Sequence, residues 1–432
     1  MMHIHSMKNI TKKKKIISLD APDMLIIPLF ERFGSKPEPV VNSGDSVKKY
    51  QLIAKSNIGF SAPMHSPVSG TIEKIELSPQ IGSSDVMSIY IRNDRLETEI
   101  EHPLKISNIN SPEELLRIIE EAGVVGMGGA QFPTAMKYNR KEKKVKTFVI
   151  NGAECEPYLS GDYALMQEHT QEILEGILLV NKILEAEEIV IAFEQSNKEL
   201  KTVFDEFIGK EPYQKIRTHI LSNQYPQGGE LQLIKTVTGI TVAKGSLPLD
   251  QGIILSNVGT VYAVYNAVIN KKPLIERVIT ISGENVENPG NYRIKVGTPV
   301  SHLLKKFNIH PETSYIISGG PMMSPQVLDC KAPMTKGSLG IIALPKTQVS
   351  RMHCIWCGYC VDVCPMKLMP MKFDEFYRKE RYSKMNDYNI NDCIECAACE
   401  YICPSKVPLV KSIKEGKIKL KTIKDAIDRK TI

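Results

Sequence analysis

Residues 354–365 read CIWCGYCVDVCP, and residues 393–404 read CIECAACEYICP. Each run is C-x2-C-x2-C-x3-C followed by proline, so one chain carries the same pattern twice. Three thiolates separated by two residues can wrap one corner of an iron–sulfur cube only in a tight loop, and the fourth lies too far along the chain to reach the same cube. This is the spacing with which pairs of 4Fe–4S clusters are held, the fourth cysteine of each run crossing to the other cluster. Zinc is the rival metal, but its structural sites pair two C-x2-C knuckles, and a third cysteine two residues on is surplus to tetrahedral coordination. The expected ligand sets are Cys354, Cys357, Cys360 and Cys403 for the first cluster, and Cys393, Cys396, Cys399 and Cys364 for the second.

With 432 residues and 42% hydrophobic content, the chain has room for two to four domains at the usual roughly 100–200 residues each. No apolar run approaches the roughly 18–20 residues that span a bilayer; even EILEGILLVNKILEAEEIVIAF at 172–193 is broken by Glu and Lys. The N-terminus lacks an apolar core followed by a small-residue cleavage site, which predicts a cytosolic protein, soluble or peripherally attached. That compartment keeps thiols reduced, so the cysteines point to metal rather than to disulfides. Cys330 has no partner nearby in sequence and is expected to be a buried or indifferent thiol. Trp356 and Tyr359, inside the first cysteine loop, are expected to shield a cluster from water. The net charge of +6 is spread along the chain and makes no case for nucleic acid. Its dense part, Lys12 to Lys15, is expected to be a solvated tail, with attraction to anionic lipid headgroups as the alternative.

Clusters carry single electrons, so a two-electron donor needs a converter. SPEELLRIIEEAG at 111–123 reads as a helix capped by Ser111. It leads into VVGMGGAQFPTAMKY at 124–138, with Gly126, Gly128 and Gly129, then Phe132 and Lys137. A glycine loop of this kind lets backbone N–H groups approach a phosphate, and a lysine just beyond neutralises it. By itself the loop fits neither the Rossmann fingerprint nor the P-loop. VKTFVI at 145–150 reads as a buried strand that delivers Asn151, Glu154 and Glu156 at its C-terminal end, where ligands sit in open α/β sheets. Segments 222–234 and 251–268 repeat the theme and contain Glu230 and Asn257. Asn and Glu side chains suit the edges of a flavin ring and its ribityl hydroxyls.

Taken together, VVGMGGAQFPTAMKY, INGAECEPYLSGDYALMQEH, YPQGGE, ILSNVGTVYAV, GGPMM, the two cysteine runs and CPSKVPLV resemble, in order and over roughly residues 25–415, the C subunit of the Rnf ion-translocating electron transport complex. The middle region is more distantly similar to the flavin- and NADH-binding subunit of respiratory complex I, where the loop reads GRGGAGFPTG and the next strand ends NADESEP. The resemblance implies an FMN site and an NADH site on one α/β domain that feeds two 4Fe–4S clusters. It implies Gly126, Gly128, Gly129 and Lys137 around the FMN phosphate, and Asn151, Glu154 and Asn257 on the flavin. It implies Phe132 stacked on the nicotinamide nucleotide, with Glu156 and Glu230 near that nucleotide. Two departures are visible: Gly228-Gly229-Glu230 stands where complex I has Gly-Glu-Glu, and Gln131 replaces a small residue.

The implied activity is an ion-translocating NADH:ferredoxin oxidoreductase, reversible and coupled by membrane subunits to Na+ or H+ movement. FMN carries the hydride chemistry, so no protein residue is assigned a catalytic role. Ferredoxin is an indirect partner, and the expected place is the cytoplasmic face of the membrane. Two alternatives stay open: a soluble relative such as a cobalamin reductase or the electron donor of a proline reductase, and an iron–sulfur scaffold without flavin.

The expected fold is multidomain, α/β and α+β. A basic tail (1–24) precedes a barrel-sandwich hybrid (25–103) similar to lipoyl and biotinyl domains. A Rossmann-like FMN/NADH domain (104–268) and an SLBB-like β-grasp domain (269–345) follow, the latter from two alternating strands and an amphipathic PVSHLLKKF helix. A helical domain with the ferredoxin-type two-cluster motif (346–415) and a C-terminal tail (416–432) complete the chain. The hairpin that carries the modified lysine in lipoyl domains reads Met64-His65-Ser66 here. No carrier function follows, and His65 is expected to be a surface turn residue rather than a ligand.

Overall fold

Two eleven-residue strands, Gly70–Gln80 and Ser83–Asn93, form one long hairpin that anchors the first domain. In the computed structural model, which describes residues 1–30, 33–58, 61–347 and 350–428, this hairpin joins Met24–Pro28 and Ser46–Val47 in a four-stranded sheet. A three-stranded sheet of Glu38–Pro39, Leu52–Lys55 and Met64–His65 belongs to the same domain. Leu25, Ile53, Val68, Ile72, Ile89 and Ile91 fill the core of this barrel-sandwich hybrid.

His65 is not on the surface. It is buried, with no partner for its Nδ1, and burial, reinforced by the nearby Lys336 ammonium, lowers its pKa to about 3. The cause lies outside the hairpin. Lys336 Nζ donates to the carbonyls of Pro63 and Gly123, each at 2.8 Å, so the tip is held against the next domain. A Cβ on Gly123, whose φ is +63°, would lie 2.1 Å from the Pro63 oxygen. The hairpin at the place of the modified lysine is therefore fixed in an interface here.

The second domain is built on a parallel sheet in the order Ile216–Leu221, Glu188–Glu194, Thr147–Asn151, Ile253–Asn257. Three of its strands are apolar on both faces, as a sheet covered on both sides requires, whereas the edge strand Ile216–Leu221 carries Arg217, Thr218 and His219. Phe148, Ile150, Ile189 and Ile191 share a core with helices Pro112–Glu121, Thr170–Leu184 and Val258–Val268. Val149, Ala192, Ile253 and Leu255 pack with Leu233 and Ile234 of helix Glu230–Thr238. Ser111 caps the first helix as read, its side chain accepting from Glu114 N–H at 3.3 Å.

The third domain is a five-stranded sheet, Ile16–Ser18, Gly290–Lys295, Glu276–Ser282, Gly340–Pro345 and Ser314–Ser318, with helix Val300–Lys306 contributing to its core. Its edge strand comes from the segment expected to be a solvated tail. That expectation is corrected in part: Met2 pairs with Tyr225, Lys8 and Thr11 are buried, and Lys12 pairs with Glu199 at 2.7 Å while lying over the Tyr163 ring. Lys14 donates to the Pro289 carbonyl at 2.6 Å. Lys13, Lys14 and Lys15 are exposed, as expected of that run, whereas Lys8 and Lys12 are drawn in because carboxylates remote in sequence face them.

In the fourth domain, helices Pro370–Arg378 and Leu409–Asp428 pack around Phe373, Met385, Ile390 and Ile413. The boundary expected at 416 falls inside the second helix, where Gly416 lies so close to Met385 that a Cβ would come within 2.7 Å of its sulfur. Among the described residues, no helix is long and apolar enough to cross a membrane.

Candidate functional site

The parallel sheet contains one point where the chain reverses its direction of growth. After Thr147–Asn151 it adds Glu188–Glu194 and Ile216–Leu221 on one side, then returns to place Ile253–Asn257 on the other. A crevice opens at such a switch point, beyond the C-terminal ends of the strands. Asn151 and Asn257 are register partners at those ends.

The glycine loop folds over this crevice. Gly126 N–H donates to the Phe132 carbonyl at 2.8 Å, and Gln131 N–H returns to the Gly126 carbonyl at 3.1 Å. A Cβ on Gly128 would lie 3.6 Å from that of Asn257, and Gly129 has φ +99°, a conformation that favours glycine. Asn257 caps the following helix through Gly259 N–H at 2.8 Å. Asn151 Nδ2 donates to the Gly228 carbonyl at 3.0 Å. Just beyond Gly228, Glu230 pairs with Lys137 at 2.9 Å and ties the lysine to the same wall. Phe132 lies 5.4 Å from the ring of Phe33, which the first domain contributes. Gln131 lies against Gly337, where a Cβ would be 2.4 Å from its Cγ. Gly126, Gly128, Gly129, Phe132, Lys137, Asn151, Glu230 and Asn257 thus frame one cleft. Its close-approaching glycines, paired amides and partly exposed lysine fit the phosphate and ring edges of FMN.

Glu154 and Glu156 are held differently from the rest. Glu154 accepts from Asp162 N–H at 3.2 Å and Tyr163 N–H at 3.3 Å, at the start of helix Gly161–Glu168. Burial raises its pKa, opposed by Lys8, whose Nζ donates to the Glu154 carbonyl and lies 3.9 Å from Glu194. Glu156 accepts from Met322 and Met323 N–H, each at 2.9 Å, and burial nevertheless pushes it up to about 7. Because this value exceeds the 4.5 of an ordinary glutamate, the folded chain holds a proton that the unfolded chain has released. The contribution to stability is full below 4.5 and is lost as pH rises towards 7. Glu156→Gln should flatten this part of the stability profile, read as urea midpoints across the same range; an unchanged slope would remove Glu156 as its source.

Three supporting residues escaped the sequence reading. Thr260 Oγ1 accepts from Met127 N–H at 2.9 Å. Arg277, buried in the third domain, donates to the Met127 carbonyl at 3.0 Å and the Ser338 carbonyl at 3.2 Å. Burial lowers its pKa to about 10, opposed by Asp162. Tyr225, fully buried, donates to the Cys396 carbonyl at 2.7 Å. An arginine inside the apolar strand ERVITIS was the one visible signal among them.

The cysteines gather as the crossed reading requires. Cys354, Cys357, Cys360 and Cys403 line one cavity, and Cys364, Cys393, Cys396 and Cys399 line another. The repeat extends to the backbone: Trp356 and Glu395 (φ +57° and +56°), Gly358 and Ala397 (+83° and +58°), and Lys367 and Lys406 (+55° and +50°) occupy equivalent places in the two runs. Among the described residues, no three His, Cys, Asp or Glu converge on one ion position, so the sulfurs surround their cavities rather than meet at a point. Leu368 N–H and Glu395 N–H donate to Cys364 and Cys393 sulfurs at 3.3 and 3.4 Å. Burial pushes the Cys396 thiol up to about 11 and Cys399 higher still; a cationic iron core reverses that preference, since bound thiolates are deprotonated. The residues fit two clusters. Trp356 and Tyr359 line the first cavity and present their other side to solvent, each being 53% exposed.

Four family models match in chain order: the RnfC barrel sandwich hybrid domain over residues 2–96, the Nuo51 FMN-binding domain over 119–266, the SLBB domain over 278–326 and the 4Fe-4S dicluster domain over 353–407. The chain is 38% identical to the C subunit of the proton-translocating ferredoxin:NAD(+) oxidoreductase complex of Clostridium ljungdahlii, covering 90% of this chain and 87% of that one. It is 35% identical to the C subunit of the ion-translocating oxidoreductase complex of Rhodobacter capsulatus, covering 86% and 73%. With the corresponding protein of Haemophilus influenzae strain PittEE it shares 36% identity, covering 98% of this chain and 66% of the relative. The chain spans only 52% of the relative from another H. influenzae strain and 54% of that from Edwardsiella ictaluri.

Proposed function

Since the chain belongs to the family of C subunits of ion-translocating oxidoreductase complexes, we propose that it is the subunit at which NADH is oxidised and from which electrons leave singly towards the rest of the complex. When bound, FMN exchanges a hydride for single electrons and the 4Fe–4S clusters carry them. The protein supplies position. In this reading Gly126, Gly128, Gly129 and Lys137 bind the FMN phosphate, Asn151 and Asn257 orient the flavin, and Phe132 stacks on the nicotinamide nucleotide. Glu230, and Glu156 beyond it, set the charge near the nucleotide. Glu154 acts through the helix it caps.

The observation that carries the proposal is the shared wall between cleft and cysteines. Tyr225 belongs to the loop preceding Gly228, and it packs with Cys155, Met322 and Cys396 in one apolar cluster. Tyr225 thus links the second cysteine cavity to the loop that carries Gly228 and Glu230, which supports an electron path from a flavin bound there. A scaffold without flavin gives no reason for the cleft. The remaining subunits would couple the exchange with ferredoxin to Na+ or H+ translocation, with this chain peripheral on the cytoplasmic face; the named relatives favour this over a soluble reductase.

NADH should bleach the flavin first and the cluster absorbance after it in FMN-replete, anaerobically purified protein. NADPH should be a poor donor, because no arginine is evident in sequence near Glu156 or Glu230 to receive its extra phosphate. Phe132→Ala should slow flavin reduction by NADH in stopped flow while leaving dithionite reduction of the clusters intact. A parent rate in that variant removes Phe132 from the site, and a parent that NADH cannot reduce would leave the chain as a one-electron relay.

A further inference from the structure

The two cysteine cavities differ in what covers them. Cys396 and Cys399 are buried, and the apolar cluster around Cys396 includes Met2, Tyr225 and Met322 of the neighbouring domains. Cys357, in contrast, is exposed. Ile355, Trp356 and Tyr359 line its cavity, yet they turn outward, at 65%, 53% and 53% exposure, beside Met352 at 62%. Four large apolar side chains within eight residues make a patch of the kind that marks protein association, and Trp, Tyr and Met are enriched at such contacts.

We propose that this patch is the docking surface for another subunit of the same complex, one that carries a one-electron centre near an acidic-rimmed apolar surface. The proposal rests on the reading of Cys354, Cys357, Cys360 and Cys403 as cluster ligands. Electron tunnelling weakens steeply with distance, so a donor edge must reach a surface, and of the eight cysteines in the two sets Cys357 is the exposed one. Transfer takes one electron from the iron–sulfur core into the partner's centre; the core is oxidised by one, the partner reduced by one, and no proton or bond moves.

The acidic rim of the partner follows from charge. Arg351 and Lys406 are exposed at the edge of the patch, where Met352 N–H donates to the carbonyl of Ser405 at 2.9 Å. Lys372 lies 4.8 Å from the Trp356 ring and shares Glu375 with Lys379. Asp362 is the exposed carboxylate nearby in sequence, so the rim is basic on balance.

Membrane vesicles holding the other subunits, from a strain lacking this chain, test the surface when mixed with purified iron-loaded protein and sedimented. Binding by the Met352→Glu/Ile355→Glu variant should be roughly tenfold weaker or more, with iron per chain at the parent level. Parent binding should also weaken as salt rises. Parent-like binding by the variant overturns the proposal, and salt-independent binding by the parent overturns its acidic rim. If the double variant loses iron, Met352→Glu alone decides by the same criterion, because Met352 lies outside the cavity wall. Binding is read without NADH, so a chain that docks through the patch but is not reduced by NADH supports the surface and removes the NADH-oxidising function.

Discussion

Cys364→Ala should remove the cluster associated with Cys393, Cys396 and Cys399 and leave the chain with about four of the eight irons that two cubes contain. Cys364 belongs to the first run in sequence, yet it lines the cavity of the second. Cys403 makes the reciprocal crossing, so Cys403→Ala should remove the cluster on Cys354, Cys357 and Cys360. Double substitutions separate crossed from uncrossed ligation. If the ligands cross, Cys354→Ala with Cys403→Ala damages one cluster, whereas Cys354→Ala with Cys364→Ala damages both. Iron analysis and electron paramagnetic resonance of the reduced, anaerobically purified protein read the difference. Two damaged clusters in the first pair and one in the second would establish uncrossed ligation, and zinc with fewer than about four irons in the parent would set aside the cluster assignment.

Lys137→Ala should weaken FMN binding about ten- to a hundredfold while iron content holds. A charge-assisted contact contributes roughly 1.5–3 kcal/mol, and each 1.4 kcal/mol is about tenfold. The structure adds a competitor, since Lys137 pairs with Glu230. That pair is partly exposed, at 34% and 43% of the two side chains, and exposed pairs of this kind hold weakly, so the ammonium can turn to a phosphate. Glu230→Gln should accordingly keep or raise FMN affinity. Titrating the apoprotein with FMN by fluorescence quenching checks both, and equal flavin affinity in Lys137→Ala and the parent would place the phosphate elsewhere.

Cysteine spacing, the capping serine at 111 and the amides at the ends of two apolar strands were legible because each acts within a few residues of itself. A C-x2-C-x2-C loop demands left-handed residues at fixed places, and they recur at Trp356 and Glu395 and at Gly358 and Ala397. Asn257 serves the helix that begins beside it. Apolar strands ending in amide residues likewise announced the strand ends at which Asn151 and Asn257 stand side by side.

The partners of charged and polar groups were decided only by tertiary packing. Lys8 and Lys12 read as part of a basic tail, but they face Glu194 and Glu199 from the far end of a folded domain. His65 read as a turn residue, but the interface around Pro63, Gly123 and Lys336 buries it. Arg277 steadies a loop that lies 150 positions away in the chain. Local pattern encodes short loops, caps and alternation because the groups involved are already neighbours. Burial of a charge is tolerated only where an opposite charge or a hydrogen-bonding partner awaits it, and which distant residue waits there is settled when the domains close on one another.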